Sequence, residues 1–473
     1  MFIAVDDLRP QLGCYGHSRM RTPNLDRLAA EGIRFHRAYC QQAVCAPSRA
    51  SLLTGARPDT TRVYDLQTPL NTVRPDLISL PRFLRSHGYE TISLGKVYHH
   101  PNEDPEGWSA PPWSPSGDWV GRGYLNPLSI VAVRQRDAAM RAAWEMASKA
   151  GRRAQPPAYG LGPAYEAADV ADNAYPDGKI CDKAIQELHR LRGRAFFLAV
   201  GFHKPHLPFN APKKYWDLYS PEDLELPERN QWPENMPEMA GSNWGELRNY
   251  AGMPQQGPVD ETTMRMLIHG YYACVSYLDA QVGRLLGELD RLDLRRNTIV
   301  VLWGDHGWKL GEYGAWCKHT NFELDTHAPL LVSIPGQKNA GAATEALVEF
   351  VDIYPTVVEA CGFRPPAHCE GLSMLPLVEE PKRKWKTAAF SQYPRGKIMG
   401  YSIRTERWRY TEWIERFSGE IEARELYDHS SSQAPATNLA PLPAYGDTVG
   451  QLSALLDKGR GWRRVRDEVL RSL

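Results

Sequence analysis

The chain has 473 residues, 42% hydrophobic and 24% charged, ordinary proportions for a folded protein able to bury a large core and hold more than one structural unit. Basic and acidic residues balance at 56 each, so the formal net charge is zero and no global field draws the protein to nucleic acid or a membrane surface. No apolar run approaches the roughly 18 residues of a membrane span, and the eight cysteines are too scattered for a disulfide scaffold or a zinc motif. A polyanionic substrate therefore has to be recognised by cations gathered at one site.

The first apolar run, Phe2-Ile3-Ala4-Val5, is strand-like and leads into Asp6-Asp7. Met1 sits directly on it, with no signal peptide ahead. Thr22-Pro23 starts a helix with a cap and an N1 proline; Leu25, Leu28 and Ala29 form its apolar face and Gly32 stops it. Next comes Val44-Cys45-Ala46-Pro47-Ser48-Arg49-Ala50-Ser51-Leu52-Leu53-Thr54-Gly55, which reads as a short helix with Pro47 in its first turn and Gly55 as its C-terminal cap. Cys45 then lies where unpaired backbone N–H groups and the positive end of the helix dipole converge, a ready site for an anion. Read without its neighbours, Cys45 would be a buried structural thiol.

Three more apolar runs follow the pattern of the first. Thr91-Ile92-Ser93-Leu94 passes through Gly95 into Lys96 and His99. Phe196-Phe197-Leu198-Ala199-Val200 leads to His203, Lys204 and His206, and Thr298-Ile299-Val300-Val301-Leu302 passes through Trp303-Gly304 into Asp305-His306. Runs of this length, rich in β-branched residues and bounded by glycine, predict central strands of a mostly parallel sheet with helices on its faces. One such helix runs from about Asp279 to Leu292, with Val282, Leu285, Leu286 and Leu289 at helical spacing. In open α/β sheets the ligand site lies beyond the carboxyl ends of the strands. Singly, Asp6-Asp7 would cap a turn and Asp305-His306-Gly307 would be a plain loop. Together the four runs describe one site.

Between these runs, residues 101–177 are rich in Pro, Gly and Trp and then Ala and Arg, an insertion expected to form a wall or lid over the strand edge. A second proline-rich excursion covers 208–258 and reads as loop. The charged run Glu379-Glu380-Pro381-Lys382-Arg383-Lys384 suggests a boundary, giving a catalytic domain over 1–380 and a small antiparallel subdomain over 381–473. Its strand signals are Ala388–Tyr393, Tyr401–Thr405 and Trp408–Thr411. Cys361 and Cys369 flank a proline-containing loop and are candidates to pair.

The stretch from Cys45 to Gly55 resembles the signature of the formylglycine-dependent type I sulfatases, Cys-x-Pro-Ser-Arg followed by Leu-Thr-Gly, which marks the cysteine for oxidation by a dedicated enzyme. Further segments resemble the iduronate-2-sulfatase branch of that family: Asp-Asp-Leu-Arg-Pro at 6–10, Arg57 to Arg62, Gly95-Lys96-Val97, Gly201 to His206, Asp305-His306-Gly307-Trp308, and Ser391 to Arg395. Many sulfatases carry Asp-Asn where this chain has Asp305-His306. The likeness is weakest in 101–177, part of 210–260 and the last forty or so residues.

The resemblance implies an alkaline-phosphatase-like α/β fold and a calcium-dependent sulfate ester hydrolase. Asp6, Asp7 and Asp305 offer hard oxygen ligands of the kind Ca2+ prefers, with His306 and the modified Cys45 (3-oxoalanine) completing the sphere. A hydrated formylglycine offers a hydroxyl to attack sulfur. Arg49, Lys96 and Lys318 would neutralise the sulfate oxygens, His203 would protonate the departing sugar oxygen, and His99 would help regenerate the aldehyde. Lys96, His203, Trp308 and Lys318 would bind substrate, with Lys318, Lys204 or Arg395 meeting a uronate carboxylate. The implied reaction removes sulfate from a sulfated sugar, specifically the 2-O-sulfate of a uronic acid. Another sulfated polysaccharide, an aryl sulfate, or a phosphate ester are the alternatives, as is a silent glycan-binding relative. Expected partners are a sulfated carbohydrate and a formylglycine-generating enzyme, with no nucleic acid and no membrane span. Export to a bacterial periplasm or beyond is expected, in keeping with the absence of any Asn-x-Ser/Thr sequon.

Overall fold

In the computed structural model, which describes residues 1–150 and 159–460, the four apolar runs become four adjacent strands. The central sheet contains β1 (Phe2–Val5), β2 (Ile33–Tyr39), β3 (Glu90–Gly95), β4 (Phe196–Phe202), β5 (Val300–Gly304), β6 (Leu330–Ser333) and β7 (Ala343–Glu349). They lie in the order β7-β2-β6-β5-β1-β4-β3. Only β6 runs antiparallel to its neighbours, so the sheet is mostly parallel as expected. Pairing register explains why the four runs share one site. Val5 faces Phe202 on one side and Gly304 on the other, so Asp6, His203 and Asp305 leave the sheet at the same level. Gly95 pairs with Gly201, which brings Lys96 to that edge as well.

Alternation along β1 sorts the core into two layers. Ile3 and Val5 pack on one face with Leu25 and Leu28 of α1 (Pro23–Glu31), while Phe2 and Ala4 pack on the other with Leu52 and Leu53 of α2 (Cys45–Thr54). Helix α1 ends before Gly32 as predicted, but the Thr22 hydroxyl does not cap it; it accepts from Gly13 N at 2.9 Å. The insertion carries α3 (Pro127–Lys149), of which only Ser129 and Val133 are buried; α4 (Pro176–Arg190) follows it. A short strand, Tyr165–Ala168, pairs with Phe209–Pro212, so the insertion and the second proline-rich excursion are stitched together. Helix α5 spans Glu261–Arg291 and starts well before Asp279. Every residue from Leu267 to Asp279 is buried, so this part of the helix has no polar stripe to betray it in sequence.

The C-terminal region forms a separate antiparallel sheet of β8 (Ala389–Arg395), β9 (Ile398–Arg404), β10 (Trp408–Glu415) and β11 (Ile421–Asp428). Strand β11 escaped the sequence reading because its first half is exposed and charged. Helix α6 (Gly446–Arg460) covers this sheet through Leu452 and Leu456. The sheet is tied to the central one by Glu323, whose carboxylate accepts from Arg404 Nε at 2.9 Å, Arg409 Nη2 at 2.7 Å and the Tyr39 hydroxyl at 2.8 Å. Cys361 is a free thiol, so the bridge to Cys369 considered from sequence is not formed. Among the described residues, no helix is long and apolar enough to cross a membrane.

Candidate active site

Helix α2 opens at Cys45 and closes on Gly55, which takes a left-handed conformation (φ 66°) and donates to the Leu52 and Ser51 carbonyls. Its first turn faces the ends of β1 and β5. Cys45 Sγ lies 3.4 Å from His306 Nε2, and the Ser48 hydroxyl donates to the Asp305 carbonyl. Asp7 adopts a left-handed backbone (φ 60°), a conformation aspartate tolerates better than most residues. Its N–H donates to Asp305 Oδ1 at 2.9 Å. Gly201 lets the ends of β3 and β4 close up, since a Cβ there would lie 2.1 Å from Lys96 carbonyl atoms. Lys96 then forms an ion pair with Asp6.

One donor cluster results. Asp7, Cys45 and His306 bring their ligand atoms within 4.8 Å of one another, as do Asp6, Cys45 and Asp305, and Asp6, Asp7 and His206. Three carboxylates supply hard oxygens of the kind calcium takes, and the cluster as a whole is consistent with a sulfatase metal site. All five residues expected to bind metal are in it. His206 joins them, although the sequence reading placed no ligand there.

The electrostatics follow from burial. Burial alone would raise Asp6, but Lys96, His206 and Arg49 together hold it well below the usual carboxylate range. Asp7 goes the other way: burial outweighs Lys318 and pushes it up to about 7. Burial and Asp6 push the Cys45 thiol well up, so an unmodified Cys45 stays protonated and is a poor nucleophile. His99 is held down to about 2 and His203 to about 3, in both cases by burial and then by Lys96. Both imidazoles are neutral in the ligand-free site, and an incoming anion would raise them.

A cavity of about 780 Å³ opens above the cluster and is lined by Asp6, Cys45, Lys96, His99, His203 and Lys318, among others. Arg49, Trp308 and Arg395 are not on its wall, nor are the metal-site residues Asp7, Asp305 and His306. Arg49 is 0% exposed and does not line the cavity. Its Nε donates to Asp305 Oδ2 at 2.9 Å, Nη2 to Asp6 Oδ1 at 3.2 Å, and Nη1 to the Lys96 and Val97 carbonyls. In the ligand-free site it binds the two acids together. Trp308 is also fully buried and off the cavity wall, and the Lys318 ammonium stands 4.8 Å from its ring.

Sequence reasoning missed Glu246, in the short helical turn Gly245–Arg248 of the second proline-rich excursion. It pairs with Lys318 at 2.9 Å and His206 at 3.0 Å, and these cations outweigh burial to hold it well below the usual range. His319, beside Lys318, also lines the cavity and is held down to about 3 by burial. Nothing in the pattern around 246 announces a site residue; the signal is three-dimensional only.

Known proteins agree with this geometry. The Sulfatase family profile matches residues 1–363, and that of the N-sulphoglucosamine sulphohydrolase C-terminal region matches 311–461. Mouse iduronate 2-sulfatase is 35% identical over 90% of this chain and 88% of its own. Among solved structures, one described as bound to its substrate D-glucosamine-2-N,6-O-disulfate superposes with a TM-score of 0.75 at 22% identity, covering 98% of both chains. A phosphonate monoester hydrolase of Agrobacterium radiobacter also gives 0.75, at 21% identity over 98% of this chain and 95% of its own. At such identities the two structures speak for the fold alone. With the profile spanning the whole central sheet and a buried Asp/Cys/His cluster at its carboxyl edge, this chain is an enzyme that belongs to the sulfatase family.

Proposed function

We propose that the enzyme removes the 2-O-sulfate of a uronic acid residue in a sulfated glycan, using a formylglycine made from Cys45 and one calcium ion. The carrying observation is Cys45 at the first turn of α2, 3.4 Å from His306, on the floor of a cavity ringed by lysines and histidines. The 35% identity to a protein named iduronate 2-sulfatase supports the sugar class.

Asp6, Asp7, Asp305 and His306, with position 45, would hold the calcium. When present, the formylglycine supplies a hydrated-aldehyde hydroxyl as nucleophile and calcium supplies Lewis acidity toward it. The rest falls to the chain's own side chains. Lys96 and Lys318 line the cavity beside the metal acids, where their charges orient the sulfate and meet the negative charge that develops on its oxygens. His203 donates a proton to the sugar oxygen as the S–O bond breaks. His99 stands within the same wall to accept and return the nucleophile's proton. Arg49 holds Asp6 and Asp305 in place. This reading calls for a formylglycine-generating enzyme acting on Cys45, and a sulfated glycan substrate supports a periplasmic or secreted location.

Two measurements on wild-type enzyme test this. Peptide mass spectrometry should find an aldehyde or its hydrate at position 45, and full activity with only a thiol there overturns the mechanism. Sulfate release from a 2-O-sulfated uronate disaccharide should exceed that from its carboxyl-reduced neutral analogue. Comparable kcat/KM on both removes the uronate reading and leaves a sulfatase of other specificity.

A further inference from the structure

The sequence offered Lys318, Lys204 and Arg395 for a substrate carboxylate; Lys318 is assigned above to the sulfate, and the other two are held by backbone carbonyls. Lys318 lies between Asp7 and Glu246. Lys204 Nζ donates to the carbonyls of His206, at 3.0 Å, and Pro208. Arg395 donates to the carbonyls of Met239 at 2.9 Å, Gly241 at 2.8 Å and His319 at 2.7 Å. Lys96, the other lysine on the wall, is paired with Asp6.

Arg122 differs. It lines the same cavity, its side chain is exposed, and among the described residues it forms no ion pair with a carboxylate. Beside its guanidinium, in side-chain contact with it, lies the hydroxyl of Tyr250, a cavity residue only 1% exposed whose oxygen bonds no other group among the described residues. With its oxygen turned to Arg122, the phenol keeps its own proton to donate to a ligand that Arg122 binds.

The backbone around Arg122 is built to hold it still. Val120 and Tyr124 exchange both N–H···O bonds at 2.9 Å, closing a tight hairpin about it. Arg122 N donates to Gly160 O at 3.2 Å, and Asn210 Nδ2 donates to Gly123 O at 3.0 Å. Gly121 has φ 57°, and a Cβ there would lie 2.4 Å from Gly160 O, so the loop tip packs backbone to backbone. A loop fixed in this way has little backbone freedom left to lose on binding.

We propose that Arg122 is the specificity-determining cation of this enzyme: its guanidinium takes the carboxylate of the sulfated uronic acid as a bidentate pair, with the Tyr250 hydroxyl donating to the same group. The inference rests on the uronate reading above and names the residue that enforces it. A planar fork matches a carboxylate as a lysine ammonium does not. Arg122 lies in the insertion, where the family resemblance is weakest and substrate choice is expected to reside.

The test compares the 2-O-sulfated uronate disaccharide with its carboxyl-reduced analogue in wild type, Arg122→Gln, Arg122→Lys and Tyr250→Phe. Wild type should prefer the acid by roughly 30- to 1,000-fold in kcat/KM, the range expected for a charge-assisted pair. Arg122→Gln should bring that ratio to within a few-fold of one, with Arg122→Lys between and Tyr250→Phe losing several-fold. If wild type prefers the acid and Arg122→Gln keeps the full preference, the assignment of Arg122 is overturned and the uronate reading stands. If wild type shows no preference, the uronate reading fails and the assignment fails with it. Matching thermal unfolding of each variant to wild type keeps misfolding out of the ratio.

Discussion

The Glu246 carboxylate reaches the Lys318 ammonium at 2.9 Å, from a loop that lies 72 residues away in the chain. It also holds His206 at 3.0 Å, so a single acid from the second proline-rich excursion fixes two basic groups at the edge of the metal cluster. Its negative charge lies on the wall of a cavity meant for an anion, and it must therefore weaken ground-state binding while it positions Lys318.

Glu246→Gln separates those effects. Removing the charge should tighten competitive inhibition by free sulfate by roughly 30- to 150-fold, since a unit charge about 6 Å away is worth on the order of 2–3 kcal/mol at an effective dielectric of about 20. The same change should lower kcat by about tenfold or more, because Lys318 and His206 lose their common anchor. Inhibition constants and kcat, measured on one substrate, decide it. Unaltered sulfate inhibition would mean that Glu246 serves packing alone.

The acid cluster makes a second prediction. Asp6→Asn, Asp7→Asn and Asp305→Asn should each abolish tight calcium binding and sulfate release together, because each removes a charged oxygen ligand. Calcium should also raise the unfolding temperature of the wild type in a concentration-dependent way, by the linkage between ligand and folded state, and should do so far less for the variants. Arg49→Ala should behave differently. It leaves Asp6 and Asp305 buried without their shared cation, so the expected outcome is a loss of about 3–5 kcal/mol of stability before activity is considered. Full thermal stability in Arg49→Ala would refute its place as the brace beneath the cluster.

The frame of this site is legible in the sequence because register does the work. Each of the four apolar runs ends in its functional residues, and parallel pairing of β5, β1, β4 and β3 carries those ends to one edge without any long-range information. Cys45 is readable for a similar reason, since its helix is defined locally by Pro47 and Gly55. What escapes is the depth of a residue within the site. Arg49 and Trp308 stand close in sequence to residues of the acid cluster, yet both are fully buried and off the cavity wall, and spacing cannot tell the lining of a site from what supports it. Glu246 and Arg122 escape for the opposite reason: they sit on loops whose place is set by tertiary contacts such as Asn210 to Gly123, not by any periodicity.

His203 gives a prediction about chemistry. Its backbone N–H donates to Asp177 Oδ1 at 2.9 Å and that of Lys204 to Asp177 Oδ2 at 2.8 Å, so a buried carboxylate fixes the turn that presents the imidazole. As general acid, it matters most when the leaving oxygen is basic. His203→Ala should slow release of a sugar sulfate by about 100- to 10,000-fold, the usual span for a lost proton donor. An activated aryl sulfate, whose phenolate departs unaided, should lose far less. Equal losses on both would assign His203 to sulfate binding instead.

A last prediction concerns Glu425, which lies 2% exposed within the C-terminal sheet. Its carboxylate accepts from Trp413 Nε1 and from the Tyr427 hydroxyl, each at 2.7 Å, yet burial outweighs both and pushes it up from 4.5 to about 7. A carboxyl whose folded value is raised binds its proton more tightly in the folded state. Stability therefore falls as pH rises from about 4.5 and levels off above about 7, by about 3 kcal/mol at 1.36 kcal/mol per unit. Glu425→Gln removes that dependence at little structural cost. Its amide oxygen can still accept from Trp413, and its NH2 can donate to the Tyr427 oxygen once that hydroxyl turns. Urea unfolding of both proteins at about pH 5 and about pH 8 should show the variant gaining on wild type as pH rises. A stability difference that stays flat over this range would show that Glu425 is ionised throughout, held by its two donors against burial.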